Sequence, residues 1–279
     1  MIGLLHPGEM GAAVGQCLAR SGLTVLWASE GRGPLTAARA RAAGLADAGT
    51  ASEVADRADV IFSICPPHAA LDVAWAVQGF GGRFVDANAI SPATAREVSL
   101  MVEDGGGSYV DGGIIGPPPA TGGSTRMYLS GLGAATVRAL FDGTAVDARV
   151  VDGGAWAAST IKMAYAAWTK GSAALLLAAR ALARAGGVED ALLAEWALSQ
   201  PALADRSRGA ARSAVAKGWR WAAEMEEIAV SMAAAGLPDG FHQAAAEIFR
   251  RSPRAEPDAV GGEAVDEVLS AITGDGIGG

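Results

Sequence analysis

The first fifteen residues, Met1-Ile-Gly-Leu-Leu-His-Pro-Gly-Glu-Met-Gly-Ala-Ala-Val-Gly15, leave this chain few folds to choose from. An apolar strand runs into a glycine-studded turn. A helical pattern then begins at once, with Met10, Val14 and Leu18 on one side. That geometry lays backbone N–H groups and a helix N-terminus against a pyrophosphate. The window His6-Pro7-Gly8-Glu9-Met10-Gly11 departs from Gly-x-Gly-x-x-Gly at its first glycine, where His6 stands, followed by Pro7. Gly8 occupies the place where backbone must approach phosphate, and Gly11 the place where helix must lie close on strand. Read alone, the window also fits an ordinary strand-to-helix turn, so the rest of the chain decides.

Strands are predicted over 24–28, 59–65, 83–87, 108–111, 126–130 and 148–151. Between them the pattern predicts helices over 35–43, 52–57, 69–77, 92–103 and 134–141, the second of these capped by Ser52. Ser91 is placed to cap the helix that Pro92 opens. Residues 112–123, rich in Gly and Pro, read as a long loop. Strands alternating with helices at this spacing predict a doubly wound, Rossmann-type α/β parallel sheet. Beyond Asp152-Gly153-Gly154 no further strand pattern occurs. A proline-free helical stretch over 155–185 would be about 45 Å long. Shorter helices are expected over 188–199, 202–217, 219–235, 239–250 and 262–273. The chain thus divides into a dinucleotide-binding domain, 1–152, and an all-helical substrate and dimerisation domain, 153–279, on a long interdomain helix.

A net charge of −8 with no cluster of Lys and Arg argues against nucleic-acid or anionic-membrane partners. No apolar run is long enough and free enough of charge to span a bilayer. Met1 enters a strand directly, which predicts no signal peptide and a cytoplasmic protein. Cys17 and Cys65 have no metal-ligand spacing and read as small buried hydrophobes.

In this order and spacing, four stretches give the chain its resemblance to the β-hydroxyacid dehydrogenase superfamily, which includes 3-hydroxyisobutyrate and 6-phosphogluconate dehydrogenases and the imine reductases. They are Gly8-Glu-Met-Gly11, Asp86-Ala-Asn-Ala-Ile-Ser-Pro92, Asp111–Gly116 in the place of the substrate loop, and Lys162 in the place of the catalytic lysine. Lys162-Met-Ala-Tyr165, Thr169-Lys-Gly-Ser172 and residues 218–228 look most like a phosphogluconate-dehydrogenase-like branch. The resemblance implies an NAD(P)-dependent oxidoreductase that moves a hydride between nicotinamide and a carbonyl or alcohol carbon. It also implies a homodimer with interlocked helical domains. The departures are Ile115-Gly116-Pro117 in the substrate loop, Tyr165-Ala166 where the family carries an asparagine, and Ala223 beside Glu224 where the family often has Lys-Asp. These put a standard hydroxyacid substrate in doubt. They leave open an imine reductase or a dinucleotide-binding protein without catalysis.

Residue by residue, the cofactor contacts are expected from His6, Pro7, Gly8, Glu9 and Met10 in the turn, from Ser29, Glu30 and Arg32 after the second strand, and from Cys65, Pro66, Pro67 and Asn88 at later strand ends. Ser29 and Arg32 suit a 2′-phosphate and point to NADP, while Glu30 keeps NAD open. Lys162 is the expected proton-transfer group and Tyr165 a second donor. At 100° per residue Lys162, Tyr165 and Thr169 share one helix face. Gly113, Ile114, Ile115, Thr169, Trp219 and Glu224 are the expected contacts of a small-molecule substrate. The isoleucines and the tryptophans of the helical half suggest an apolar pocket. His68 reads as a surface residue, His242 as structural or exposed, and Lys170 as an anchor for a carboxylate or a solvated charge.

Overall fold

The computed structural model describes residues 1–120, 124–255 and 264–274. They divide into two compact units, Met1–Met163 and Ala164–Gly279.

The first unit alternates strand and helix: β1 (Ile2–Leu4), α1 (Glu9–Arg20), β2 (Val25–Ala28), α2 (Pro34–Ala42), β3 (Ala46–Gly49), α3 (Ala51–Arg57), β4 (Val60–Ser63), a 3-10 turn (Pro67–Ala69), α4 (Ala70–Trp75), β5 (Arg83–Asp86), α5 (Pro92–Asp104), β6 (Ser108–Ile115), β7 (Thr125–Ser130), α6 (Ala134–Ala139) and β8 (Val146–Val150). The strands form one sheet in the order β3-β2-β1-β4-β5-β6-β7-β8. The first six are parallel, and β7 turns back antiparallel to β6 with β8 parallel to it. Strand order reverses between β1 and β4, which opens a ligand crevice at their carboxyl ends. Central strands are buried on both faces, so neighbouring residues feed two cores. Val25, Trp27, Phe62, Val85 and Val110 pack on one side. Leu26, Ala28, Ile61, Phe84 and Tyr109 pack on the other.

Three expectations are corrected here. β3 was not anticipated, because Ala-Asp-Ala-Gly has little strand propensity. It forms because the edge of β2 offers it a ladder. The helix at 51–57 is capped by Thr50, not Ser52, and Thr50 forms a reciprocal capping box with Glu53. Residues 112–115 are strand, not loop, because β7 pairs with them from Asp111 to Ile115. Ser91 does cap α5, accepting from the Thr94 N–H at 3.1 Å, with Pro92 at the first position.

The helix α7 (Ala157–Ala185) starts in the first unit and continues past Met163. In the second unit it is followed by α8 (Glu189–Ser199), α9 (Leu203–Ala234), α10 (Gly240–Arg251) and α11 (Ala264–Thr273). α9 is one helix of 32 residues, not two broken at Gly218. Glycine costs a helix interior about 1 kcal/mol against alanine. Here Gly218 is buried, and a Cβ would sit 3.3 Å from the Phe249 carbonyl oxygen of α10. Close packing of the two helices offsets the propensity cost, and Trp221 packs edge-on against Phe249 beside it.

An ionic network built around the buried Arg180 ties this unit together. Arg180, 6% exposed, donates to Glu189 at 2.5 Å and to the Ser207 hydroxyl at 3.0 Å. Arg184 donates to Glu189 at 2.7 Å and to Asp266 at 2.5 Å. Burial pushes the Glu189 carboxyl up, but Arg184 and Arg180 outweigh it and hold it below its usual value. Glu189→Ala leaves Arg180 buried without its counter-ion and should lower unfolding free energy in urea by about 3–5 kcal/mol. Because the folded carboxyl is depressed, this contribution is present above the unfolded carboxylate range. It is lost as pH falls through the folded value, so the wild-type advantage over Glu189→Ala should fade in acid.

Candidate functional site

The turn after β1 brings helix and strand within contact distance. A Cβ on Gly11 would lie 2.2 Å from the His6 carbonyl oxygen, so only glycine fits there. Gly8 is the N-cap of α1, no side chain caps the helix, and a Cβ on Gly8 would meet nothing within 4 Å. The start of α1 therefore faces open space with its dipole and its first N–H groups, as a phosphate requires. Glu9 is exposed and Met10 half-buried beside it, and Pro7 is buried with its carbonyl accepting from Arg39 at 3.4 Å.

His6 is half-buried, and its Nδ1 is shut off from solvent without a hydrogen-bond partner. Burial, helped by the charge of Arg32, lowers its pKa to about 4. The imidazole is therefore neutral at neutral pH. Its contact with a cofactor is that of a neutral ring and not of a cation.

After β2 the chain turns over Ser29–Arg32, with the Arg32 N–H donating to the Ser29 carbonyl at 3.0 Å and Gly31 at φ +69°. Ser29 is half-buried, while Glu30 and Arg32 are exposed. The Arg32 guanidinium reaches back towards the Leu5 carbonyl at 3.5 Å. There it helps line a cavity of about 240 Å³ with Leu5, His6, Ala28, Ala69 and Asp72. The cavity stands at the carboxyl ends of β1 and β2, with α4 as its far wall. An adenosine with a charged ribose substituent fits this mixture of apolar wall and guanidinium.

Between β4 and β5, Asn88 is a strut. It is 2% exposed; its Oδ1 accepts from the Cys65 N–H at 2.6 Å and its Nδ2 donates to the Ser63 hydroxyl at 3.0 Å. Its own N–H donates to Asp86 at 3.0 Å. Asn88 thus fixes the segment leading to Pro66 and Pro67, whose turn enters α4. Burial, with the nearby Asp86, pushes the Cys65 thiol up to about 12, so it remains protonated and unreactive.

The third cluster lies where β6 meets α7. Asp111 is fully buried. Its carboxylate accepts from the Ser159 N–H at 2.8 Å, the Ser159 hydroxyl at 2.5 Å and the Ser130 hydroxyl at 2.9 Å. Ser130 also accepts from the Ala158 N–H at 3.0 Å, and its single proton is shared between Asp111 and the Ala155 carbonyl, 3.0 Å away. The open N–H groups of the long helix are therefore satisfied by side chains from the sheet. Burial still leaves the Asp111 carboxyl raised, with Ser159 and Ser130 opposing the shift. One turn further along α7, the half-buried Lys162 donates from Nζ to the Ile114 carbonyl at 2.7 Å. Gly113 lies between these two fastenings. A Cβ there would come within 2.8 Å of the Ala158 carbonyl and 2.9 Å of the Lys162 Cβ.

Ile114 and Ile115 are 6% and 4% exposed, so both side chains are core rather than pocket wall. Asp111 is read from sequence only as the start of the substrate-loop stretch, and Ser130 and Ser159 are not singled out at all. Asp111 and Ser159 are 48 positions apart, and no local pattern pairs them. In the second unit Tyr165 is 47% exposed, and Thr169 is exposed with its hydroxyl on the Tyr165 carbonyl at 3.1 Å. Trp219 is 42% exposed and stacks with Arg220 and Arg254. Glu224 is ion-paired with Lys170, whose amine burial pushes down while Glu224 pushes up. His242 is buried against Phe241, and burial lowers its pKa.

The described residues contain no group of acids, histidines and cysteines suited to a metal ion, and no helix among them is long and apolar enough to cross a membrane. Residues 1–86 match the family model described as NADP oxidoreductase, coenzyme F420-dependent, and residues 183–252 match a domain of unknown function. No curated protein matches the chain in sequence. Among solved structures, it resembles a conserved protein of unknown function described as structurally similar to 3-hydroxyacid dehydrogenases (26% identity, TM-score 0.64, 97% of each chain). It also resembles a 3-hydroxyisobutyrate dehydrogenase from Mycobacterium tuberculosis (19% identity, TM-score 0.68, 99% of each chain). A third is a reductive aminase from Aspergillus terreus in complex with NADPH4, cyclohexanone and allyl amine (19% identity, TM-score 0.57, 97% of each chain). The eight-stranded sheet, the NADP-oxidoreductase match over its first half and the helical unit that follows are together the architecture of NAD(P)-dependent dehydrogenases and reductases of the 3-hydroxyisobutyrate dehydrogenase and reductive aminase fold.

Proposed function

We propose that this chain is a cytoplasmic NADP(H)-dependent reductase or dehydrogenase acting between a carbonyl and an alcohol carbon, with Lys162 as its proton-transfer group. The observation that carries the reading is the fixed Lys162 ammonium, half-buried and hydrogen-bonded to the Ile114 carbonyl at 2.7 Å. When bound, NADP(H) supplies or accepts the hydride at its nicotinamide C4. The open start of α1 holds the pyrophosphate, and the cavity beside Arg32 takes the adenosine. Asn88 holds the Cys65–Pro67 segment as a rigid wall. Lys162 gives a proton to the substrate oxygen as the carbonyl is reduced and takes it back when the alcohol is oxidised.

A second reading, reduction of C=N, is favoured by the exposed Tyr165 phenol, which lies close to the direction of Lys162 round α7. The two readings separate by mutation. Lys162→Met keeps the apolar stem, so NADPH binding should survive while kcat/KM for ketones and aldehydes falls by about 10²–10⁴. Tyr165→Phe should cost less. Normal turnover of cyclic imines by Lys162→Met, with loss in Tyr165→Phe, would give the proton to the phenol instead. NADPH consumption across a panel of aldehydes, ketones and cyclic imines is the measurement, and silence across the whole panel would favour a non-catalytic dinucleotide-binding protein.

The choice of NADP over NAD rests on Arg32. Arg32→Ala should weaken NADPH by about 1.5–3 kcal/mol, the scale of a hydrogen bond to a charged group, and leave NADH nearly unchanged. Titration of both cofactors by fluorescence decides it, and equal losses would assign the turn no part in reading the phosphate.

The helical unit is also built to meet a second copy. α8 has no buried residue, Leu198 and Leu182 are 84% and 77% exposed, and Ala179, Leu182, Ala183, Val188 and Leu192 line an open apolar groove of about 640 Å³. Exposed apolar surface on this scale marks an interface. Light scattering at micromolar concentration should give a homodimer, and a stable monomer there would contradict it.

A further inference from the structure

The two bonds that join β6 to α7 keep the same step. Asp111 meets Ser159, and Ile114 meets Lys162; each pair is 48 positions apart. Three residues along an extended strand and three along a helix both advance between the fastenings. Asp111 takes the first turn of α7 by a backbone N–H and a hydroxyl, and Lys162 follows on the next turn. Between them Gly113 has no Cβ to clash with the Ala158 carbonyl and the Lys162 Cβ, which lets helix and strand close together. We propose that Asp111 is the positioning residue for Lys162: its buried carboxylate sets the rotation and depth of the start of α7, and so delivers the Lys162 ammonium to the Ile114 carbonyl.

Three further observations support this assignment. Asp111 is fully buried, so it cannot serve as a solvated surface charge. Its partners are at the helix terminus, where a carboxylate both satisfies N–H groups and meets the positive end of the helix dipole. Ser130 shares the work from β7, accepting from the Ala158 N–H, so two strands fasten the same turn. Lys162 itself sits on a four-carbon stem that loses considerable rotamer entropy when held. A fixed helix origin is what makes a short bond to one backbone carbonyl repeatable. The positioning is exerted within the first unit, on residues 111–162.

The lysine arm of the test needs no substrate. The chain has three lysines, Lys162, Lys170 and Lys217, so selective ¹³C-lysine labelling gives three ε-methylene signals. In Asp111→Ala the Lys162 signal should move to the position of a solvated lysine, while those of Lys170 and Lys217 stay. Asp111→Asn can keep an acceptor for the Ser159 N–H and a bond to its hydroxyl, and should restore much of the wild-type shift. Ser159→Ala loses the hydroxyl bond alone and should fall between, which keeps the test decisive if Asp111→Ala does not fold. An unchanged Lys162 signal in the alanine variants, or equal displacement of all three signals, would overturn the proposal and leave Asp111 an ordinary structural anchor.

The kinetic arm rests on the reading of Lys162 as proton donor. With NADPH and cyclohexanone or ethyl levulinate, Asp111→Ala should lower kcat by about 100-fold, the cost of a misplacement near 1 Å, with the NADPH Kd unchanged. The double variant Asp111→Ala/Lys162→Met should be no slower than Lys162→Met, because both act through one ammonium. Full additivity would overturn the proposal. Near-normal turnover by Lys162→Met would count against the catalytic role alone, and the lysine signals would still decide whether Asp111 places that side chain.

Discussion

A long helix must begin somewhere, and its first N–H groups must find acceptors. In this chain they find a carboxylate and a hydroxyl supplied by the sheet, from Asp111 and Ser130. Much of the candidate site depends on that solution. It fixes where α7 starts, and therefore which residues its next turn presents. It also explains why β6 carries glycine at 113, while the glycine at 112 answers to the neighbouring β5 backbone. A Cβ at Gly112 would come within 2.8 Å of the Asp86 carbonyl, and one at Gly113 within 2.8 Å of Ala158. Close approach of backbone to backbone is the condition for the carboxylate to reach the helix end at all. The arrangement is costly, since burial raises the Asp111 carboxyl. A buried acceptor with good hydrogen bonds is tolerated because losing either partner would cost more.

The cofactor end of the sheet follows the same economy of contact by different means. There the glycines keep the path to the ligand open. Gly11 lets α1 settle on the His6 carbonyl, and Gly8 leaves the helix start uncovered. The polar side chains of this edge divide into two groups. Asn88 and Ser63 are committed to each other and to the Cys65 N–H, and they hold the loop rather than a ligand. Arg32 has only a long bond to the Leu5 carbonyl and stands at a cavity, free to turn towards an anion. His6 belongs with the walls in charge terms, because burial and Arg32 keep it neutral. The guanidinium is therefore the positive charge that lines this cavity.

Where local residues decide the structure, the sequence was legible. The strand-turn-helix opening and the Ser91-Pro92 helix start were both readable from neighbouring residues. Where distant pairing decides, it was not. Gly112-Gly113-Ile114-Ile115 has the composition of a loop, and only the ladder with β7 makes it a strand. Ala46–Gly49 has no strand signal of its own and borrows one from β2. Gly218 marks a break by propensity, yet the Phe249 backbone packed on it keeps α9 whole. Asp111 is the clearest case. It opens the stretch read as a substrate loop, but its hydrogen-bond partners Ser130 and Ser159 are 19 and 48 positions away, and no local pattern assigns it to the start of α7.

The same distant pairing changes what can recognise a substrate. Ile114 and Ile115, read from sequence as walls of an apolar pocket, spend their side chains in the core of the sheet. What β6 offers at that point is backbone, and its Ile114 carbonyl is already bonded to Lys162. Glu224, read as a substrate contact, is neutralised within its own unit by Lys170. Ala166 stands where the resembled family carries an asparagine, and it is buried. On the reading of Lys162 as proton donor, each unit taken by itself lacks a polar handle that a hydroxyacid would need. That argues for a substrate whose polarity is concentrated at its carbonyl or imine, with the rest of the molecule held by contact rather than by charge.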